Sequence, residues 1–530
     1  MAIQEAKYVN RHSLGMHSTF VVGFAMLILV ASSIYFAFRA STLFLPGYTI
    51  TERTYGAAFL VAELFVFMHT AGFILSIVRS TRSYKTVTDT YFAPLTTAPV
   101  TCYISSFNEP ADVLEETIAS VRAMDYRNKD VILLDDSTGE SAATARRLAE
   151  KYGIGIIQRT DRTGYKAGAI NNALKTCTGR YVVFFDADQK PSPDFLRDLV
   201  HLMEEDQKLA LIQTPQFYAN TENRVANAAW NRQSVFYEYV CEGKDASNAM
   251  FCCGSNFIAR RDALLQVGGF DETTVTEDFA TTLHLHIAGW KTRYYNIVYV
   301  IGIGPETLAA YFTQQYRWAH GTVSVFRKVV TEFVRNPFAL RPSQWWEYLL
   351  SSTYFFTGWS NFFFMLTPIL FILFGIHVFF GNPLIYLVAF LPFFTLNILL
   401  FAYSMRDRSS IARDVILGQS ISLVTFSVYM VADAAALLGL KTKFSVTSKE
   451  GGEILTLRLL WPQFAMLFLL TFTTVVGASR GIATGDLAVW INTFWAGYNV
   501  FFLSYLFAYN RLPENAEGPR MTQYVPKAPD

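Results

Sequence analysis

Asp186-Ala187-Asp188 follows directly on the apolar run Val182-Val183-Phe184-Phe185. In extended chain, residues two apart point the same way, so both acids can face one divalent cation, Mg²⁺ or Mn²⁺. A cation held there can bridge a diphosphate and neutralise charge on a departing nucleotide. Asp135-Asp136 stand at the end of a second apolar run, Val131 to Leu134, and Thr276-Glu277-Asp278 supply another acid pair. Asp278, with Glu277 beside it, is placed to take the proton from an attacking hydroxyl. Gln314-Gln315-Tyr316-Arg317-Trp318 complete the set. Trp318 can stack on a sugar face, and Arg317 can offer a fork of donors to a diphosphate.

Shorter signals surround these. Ser105-Ser106-Phe107-Asn108-Glu109-Pro110 closes an apolar run in a turn able to hold a base or ribose, with Ser105, Asn108 and Glu109 the candidate contacts. Lys166-Ala167-Gly168-Ala169-Ile170-Asn171 places a lysine for a diphosphate and small residues for close backbone approach. By position, Asp135 and Asp136 face the nucleotide base, the ribose or the metal. His284 and His286 tempt a metal reading, but one intervening residue on a helix sends them to different faces, so packing or surface is expected.

The elements that must position these groups alternate. Val100 to Ile104, Val131 to Leu134 and Tyr181 to Phe185 are β-rich runs that stop at polar residues. Helical patterns lie at 110–123, 141–152, 166–176 and 193–204, with another over 278–288. Continuous apolar strands separated by helices indicate a mostly parallel α/β sheet. Ligands of such sheets bind at the carboxyl ends of the strands, where Asp135, Asp136, Asp186 and Asp188 fall.

The whole chain has 530 residues, 52% hydrophobic, 16% aromatic and only 16% charged. Ordinary soluble domains carry about 25% charged residues, so a membrane protein is expected. The net charge of +1 gives no reason to expect nucleic acid. The five cysteines show no zinc-type spacing and read as reduced thiols. Apolar segments long enough to span lie at 18–38, 55–78, 352–375, 383–404, 457–478 and 487–509. The first is expected to remain as an anchor rather than be cleaved. Segment 411–440 is apolar but interrupted by Arg413, Asp414, Gln419 and Asp433. It is expected to lie at the cytosolic interface or beneath the bundle. Lysines and arginines flank the sides that six spans make cytosolic. The division is thus a two-helix membrane region at 1–94, a cytosolic domain at 95–335, interfacial and four spanning helices at 336–510, and a disordered tail at 511–530.

In their order along the chain, these motifs resemble the membrane-embedded family 2 glycosyltransferases, and within them the cellulose synthase group, over about residues 95–510. The resemblance implies a GT-A (Rossmann-like) cytosolic domain inserted in an α-helical transmembrane bundle of the plasma (inner) membrane. Asp278 matches the family's base, and Gln314, Arg317 and Trp318 match a signature that accompanies processive polymer synthesis. Phe251-Cys252-Cys253-Gly254-Ser255 resembles the family's acceptor segment, with Cys253, Gly254 and Trp318 as acceptor contacts and Cys252 replacing an aromatic. Phe444-Ser445-Val446-Thr447-Ser448-Lys449 is similar to the group's gating loop, implying that Thr447 and Lys449 close over the donor. The implied activity is processive, inverting β-glycosyl transfer from UDP-glucose to a growing β-glucan that is then passed across the membrane. Partners implied are the nucleotide sugar, the polysaccharide and membrane lipid, with accessory export proteins or a second copy of the chain also open. Chitin-type, hyaluronan-type or mannan synthesis from UDP-GlcNAc or GDP-mannose, and a catalytically silent transporter or scaffold, are the alternatives.

Overall fold

A computed structural model of the chain describes residues 18–83, 96–404, 411–440 and 454–512. The loop 441–453, with Thr447 and Lys449, lies outside the described residues, as does the tail from 513 onward.

The central strands form where the chain is buried on both faces, whereas the edge strands are partly exposed. They are β1 (Val100–Ser106), β2 (Lys129–Asp135), β3 (Gly155–Gln158), β4 (Tyr181–Asp186), β5 (Lys190–Pro191), β6 (Leu209–Gln213), β7 (Gln216–Tyr218), β8 (Phe257–Arg260), β9 (Lys291–Tyr294) and β10 (Val300–Gly302). Seven join in one sheet in the order β3-β2-β1-β4-β8-β6-β9. β3, β2, β1 and β4 run parallel, and β8 runs against both β4 and β6. The sheet is therefore mixed, of the GT-A kind, because one returning strand interrupts an otherwise parallel array. A second sheet, β5-β10-β7, stands beside it.

Tyr181 to Phe185 have no exposed surface, as expected for a strand covered by helices on both sides. One covering helix, Phe195–Glu205, buries Phe195, Leu196, Leu199, Val200 and Met203, the three-to-four spacing of a single face. Burying each large side chain of this kind contributes roughly 1.5–3 kcal/mol. The helix Gly139–Tyr152 ends at Gly153, whose φ of 59° is the left-handed cap that only glycine adopts without strain.

Register determines where the acids go. Ser106 pairs with Asp135, and Ser105 pairs with Asp186, so three strands end level with one another. Polar residues excluded from the core thus collect along one edge.

Outside the sheet, five helices among the described residues are long and apolar enough to cross a membrane: Phe20–Thr42, Ile50–Ser80, Pro342–Phe374, Pro383–Tyr403 and Trp461–Thr484. The expected span 487–509 is a helix of 17 residues, Leu487–Leu503, followed by a separate turn Leu506–Tyr509. At 1.5 Å per residue it reaches roughly 25 Å, short of a 30 Å hydrocarbon core. Segment 411–440 is two helices, Ile411–Val424 and Phe426–Leu437, bent by 51°. Counted as one broken span, this pair would make six.

Candidate active site

The turn after β1 is tied to the turn after β2. Asn108 takes φ 53°, tolerable for asparagine, and its backbone N–H donates to Ser137 Oγ at 2.7 Å. Its side-chain oxygen accepts from the Thr138 N–H at 2.9 Å. Ser105 and Glu109 flank this turn, and the Ser105 hydroxyl is buried without a protein partner. The adjacent acids differ. Asp135 is buried and turned inward, accepting from Gln158 Nε2 at 2.7 Å and from the Ser137 N–H at 3.3 Å. Asp136 receives the fork of Arg159, Nε to Oδ1 at 3.0 Å and Nη2 to Oδ2 at 2.5 Å.

Asp186 and Asp188 do not share extended chain. β4 ends at Asp186, and the Gln189 N–H closes a turn onto the Asp186 carbonyl at 3.1 Å. The Ala187 carbonyl is taken by Thr117 Oγ1 at 2.7 Å, so period-two geometry stops at the first acid. The Asp186 side chain is 42% exposed, whereas Asp188 is buried. Among the described residues no group of three or more His, Cys, Asp or Glu could hold a metal. Asp186 and Asp188 are the acids of this edge that a divalent cation would use, with its remaining positions going to phosphate and water.

Lys166 joins this edge to the other acids. Its Nζ donates to Asp186 Oδ1 at 2.5 Å and to the Gly254 carbonyl at 2.7 Å. Burial acts to lower the lysine's pKa, but Asp186, Glu277 and Asp278 outweigh it and hold the ammonium above its ordinary range. Gly254 has φ 85°, and a Cβ there would stand 3.0 Å from Asp278 Oδ2. Lys166, Gly254 and Asp278 are thus consecutive neighbours.

Glu277 and Asp278 begin the helix Glu277–Ile287, and the Phe279 N–H donates to Asp278 Oδ1 at 2.8 Å. Burial, then the neighbouring Glu277 charge, push Asp278 up to about 7. Burial likewise raises Glu277, against the pull of Lys166 and Arg317. An acid near neutrality is matched to proton transfer at cellular pH. His286 sits inside the fold between Tyr348 Oη at 2.6 Å and Thr292 Oγ1 at 2.9 Å. Burial pushes it down to about 3, so it is a neutral packing residue.

Gln314, Arg317 and Trp318 share one face of the helix Leu308–Arg335, at three-to-four spacing. That helix reaches the acids because of Gly321, where a Cβ would stand 2.5 Å from Thr276 Cγ2. Trp318 is half-buried against the cluster around Phe355 and Tyr429. Gln314 interacts with Tyr218, which also feels the Asp188 charge. Gln315 is spent on structure, accepting from Tyr429 Oη at 2.8 Å.

In the acceptor-like segment, Cys252 is buried among core residues including Phe257 and Phe270. The thiol therefore fills core, and burial raises it well above its usual range. The Cys253 N–H donates to Gln213 Oε1 at 2.8 Å. All five cysteines are free thiols. Gln158, Arg159, Gln213 and Gly321 were not singled out from sequence. Arg159 alone carried a signal, as a charge directly after a strand.

Residues 181–405 match the family described as Glycosyl transferase family group 2. The chain is 33% identical over 303 residues to the cellulose synthase catalytic subunit [UDP-forming] of Pseudomonas fluorescens (strain SBW25), covering 55% of this chain and 40% of that protein. It is 30% identical over 353 residues to the cellulose synthase 1 catalytic subunit [UDP-forming] of Komagataeibacter xylinus, covering 63% and 45%. The chain thus spans less than half the length of these relatives. Among solved structures, a Pyrobaculum calidifontis mannosyltransferase in complex with GDP-Man and Mn²⁺ aligns over 72% of this chain and 99% of that one, with TM-score 0.46 and 19% identity.

Proposed function

We propose that this chain, which is similar to family 2 glycosyltransferases and to cellulose synthase catalytic subunits, polymerises glucose from UDP-glucose into a β-glucan. The observation that carries the reading is the continuous path Asp186–Lys166–Gly254–Asp278, which sets a diphosphate-side cation beside a raised carboxyl. The acceptor hydroxyl gives its proton to Asp278 while its oxygen forms a bond to the donor's anomeric carbon. The bond from that carbon to the diphosphate breaks on the opposite face, and UDP departs. One displacement inverts an α-linked donor to a β-linkage.

Lys166 and Arg317 face the charge that develops on the diphosphate, where fixed cations stabilise a transition state most. Asp186 and Asp188 would hold Mg²⁺ or Mn²⁺, which supplies Lewis-acid neutralisation of the leaving diphosphate. Trp318 holds the terminal sugar, and Ser105, Asn108, Glu109 and Asp136 surround the nucleoside. Processive growth, passage of the polymer between the long apolar helices, and a cytosolic catalytic domain at the plasma membrane belong to the same proposal. Thr447 and Lys449 are its lid residues.

The test is incubation of the purified full chain with labelled UDP- and GDP-sugars, with and without EDTA, followed by digestion with linkage-specific glucanases. Metal-dependent incorporation from UDP-glucose into glucanase-sensitive polymer is expected. Incorporation only from UDP-GlcNAc or GDP-mannose would replace the donor assignment. No incorporation from any sugar would favour a silent transporter.

A further inference from the structure

Arg159 stands just past β3 with its side chain mostly buried, and it spends its donors on three groups at once. Nε and Nη2 grip the Asp136 carboxylate, Nη1 donates to the Thr163 carbonyl at 3.1 Å, and Nη2 also reaches the Tyr165 carbonyl at 2.9 Å. Those two carbonyls bracket an unusual piece of backbone. Gly164 has φ 76° and Tyr165 φ 47°, two left-handed residues in succession, the second carrying a Cβ. L-residues with side chains take this conformation only where the surroundings hold them to it. Here the holder is visible. Tyr165 is 45% exposed, and its N–H also closes a turn onto the Arg162 carbonyl at 3.0 Å, so backbone contacts hold this turn.

What the loop delivers is the next residue. Lys166 leaves Tyr165 and carries its ammonium to Asp186 and the Gly254 carbonyl. Gly168, one turn on, lets the lysine's helix settle onto the same loop, since a Cβ there would stand 2.1 Å from the Thr163 carbonyl oxygen and 2.8 Å from Arg159 Nη1. Asp136, Arg159, Thr163, Tyr165 and Lys166 form one connected strut from the end of β2 to the end of β4.

We infer that Arg159 is a positioning residue for the donor pocket: it locks the left-handed turn at Gly164 and Tyr165, and thereby sets where Lys166 presents its charge to the diphosphate. The inference rests on the transferase reading and deepens it. Lysine substitutes only in part, because a single ammonium lacks the planar fork that serves a carboxylate and two carbonyls together.

The test uses the full chain in detergent, titrated calorimetrically with UDP in the presence of Mn²⁺, with thermal midpoints recorded alongside. Arg159→Ala is expected to weaken UDP binding by about tenfold or more, the scale of lost charge-assisted hydrogen bonds. Arg159→Lys should fall between it and the parent while keeping the fold. Tyr165→Gly, which removes the conformational penalty at that φ, should bind within about twofold of the parent. The decisive variant is Arg159→Ala/Tyr165→Gly. If Arg159 acts by holding the turn, glycine at 165 recovers several-fold of the lost affinity; if the double variant binds no better than Arg159→Ala, the positioning role is overturned. UDP binding by Arg159→Ala equal to the parent's would also overturn it, leaving the transferase reading intact. A parent chain that binds no UDP would sink the UDP-glucose reading and this inference with it.

Discussion

Two charged clusters in this molecule use the same pairing chemistry to opposite ends. At the seam between the long helix Ile50–Ser83 and the catalytic domain, Glu347 is 1% exposed and both of its oxygens are engaged. Lys244 Nζ donates to one at 2.9 Å, and Arg79 Nη1 donates to the other at 2.6 Å. Gly243 lets the elements close on each other, since a Cβ there would stand 2.4 Å from Ser76 Cα. At the catalytic edge, Lys166 pairs with an Asp186 that is 42% exposed, and Asp278 is held by burial in a raised, costly state. The seam is satisfied and sealed, whereas the site is open and electrostatically unsatisfied. A fold can tolerate the second because of the first.

This contrast is broken most forcefully at Glu347. Glu347→Ala leaves Lys244 buried without its carboxylate, and loss of one partner of a buried pair costs about 3–5 kcal/mol. The expected outcome is a steep fall in folded yield and thermal midpoint, read by detergent-phase calorimetry. A midpoint equal to the parent's would show that the seam is not held by charge.

A smaller loss is expected at the joint between the two. Gly321→Ala drives a methyl into Thr276, and overpacking of this kind costs roughly 1–3 kcal/mol. Because the displaced helix carries Arg317 and Trp318, turnover should fall more than UDP affinity, measured as kcat against Kd. Equal losses in both would place the effect in general destabilisation.

The mildest test is pH. A base must be ionised, so polymer synthesis should rise as pH passes upward through about 7 and fall roughly tenfold per unit below it. Stability runs the other way. A carboxyl whose pKa is raised in the folded state favours folding at low pH, and that contribution is lost as pH climbs through about 7. An activity profile flat from pH 5 to 8 would remove Asp278 as the titrating base.

Much of the acid-bearing strand edge was legible because its signals are local. Apolar runs ending in polar residues located β1, β2 and β4, and Asp135, Asp136 and Asp186 fell at their carboxyl ends. Legibility failed wherever a tertiary contact decided the outcome. Asp188 looked collinear with Asp186 until a turn closed by the Gln189 N–H intervened. Asp135 looked like a ligand for the nucleotide, yet Gln158 draws its carboxylate inward. Gly321 and Glu347 carry no motif; their roles exist only where another element arrives. Segment 411–440 read as one helix at the interface or beneath the bundle; it breaks at Thr425 into two helices bent by 51°.

The central claim is that Asp278 is the strained, functional acid of an otherwise satisfied fold, and Asp278→Asn tests it most directly. The amide keeps shape and hydrogen bonding but accepts no proton. In one preparation of the full chain, sugar incorporation, UDP affinity with Mn²⁺ and thermal midpoint can be measured together. The account predicts a fall in turnover of about 10²–10⁴-fold, the usual contribution of a general base, with UDP affinity retained and the midpoint at pH 8 raised. Polymerisation at the parent's rate, or a lowered midpoint with UDP binding lost, would contradict it.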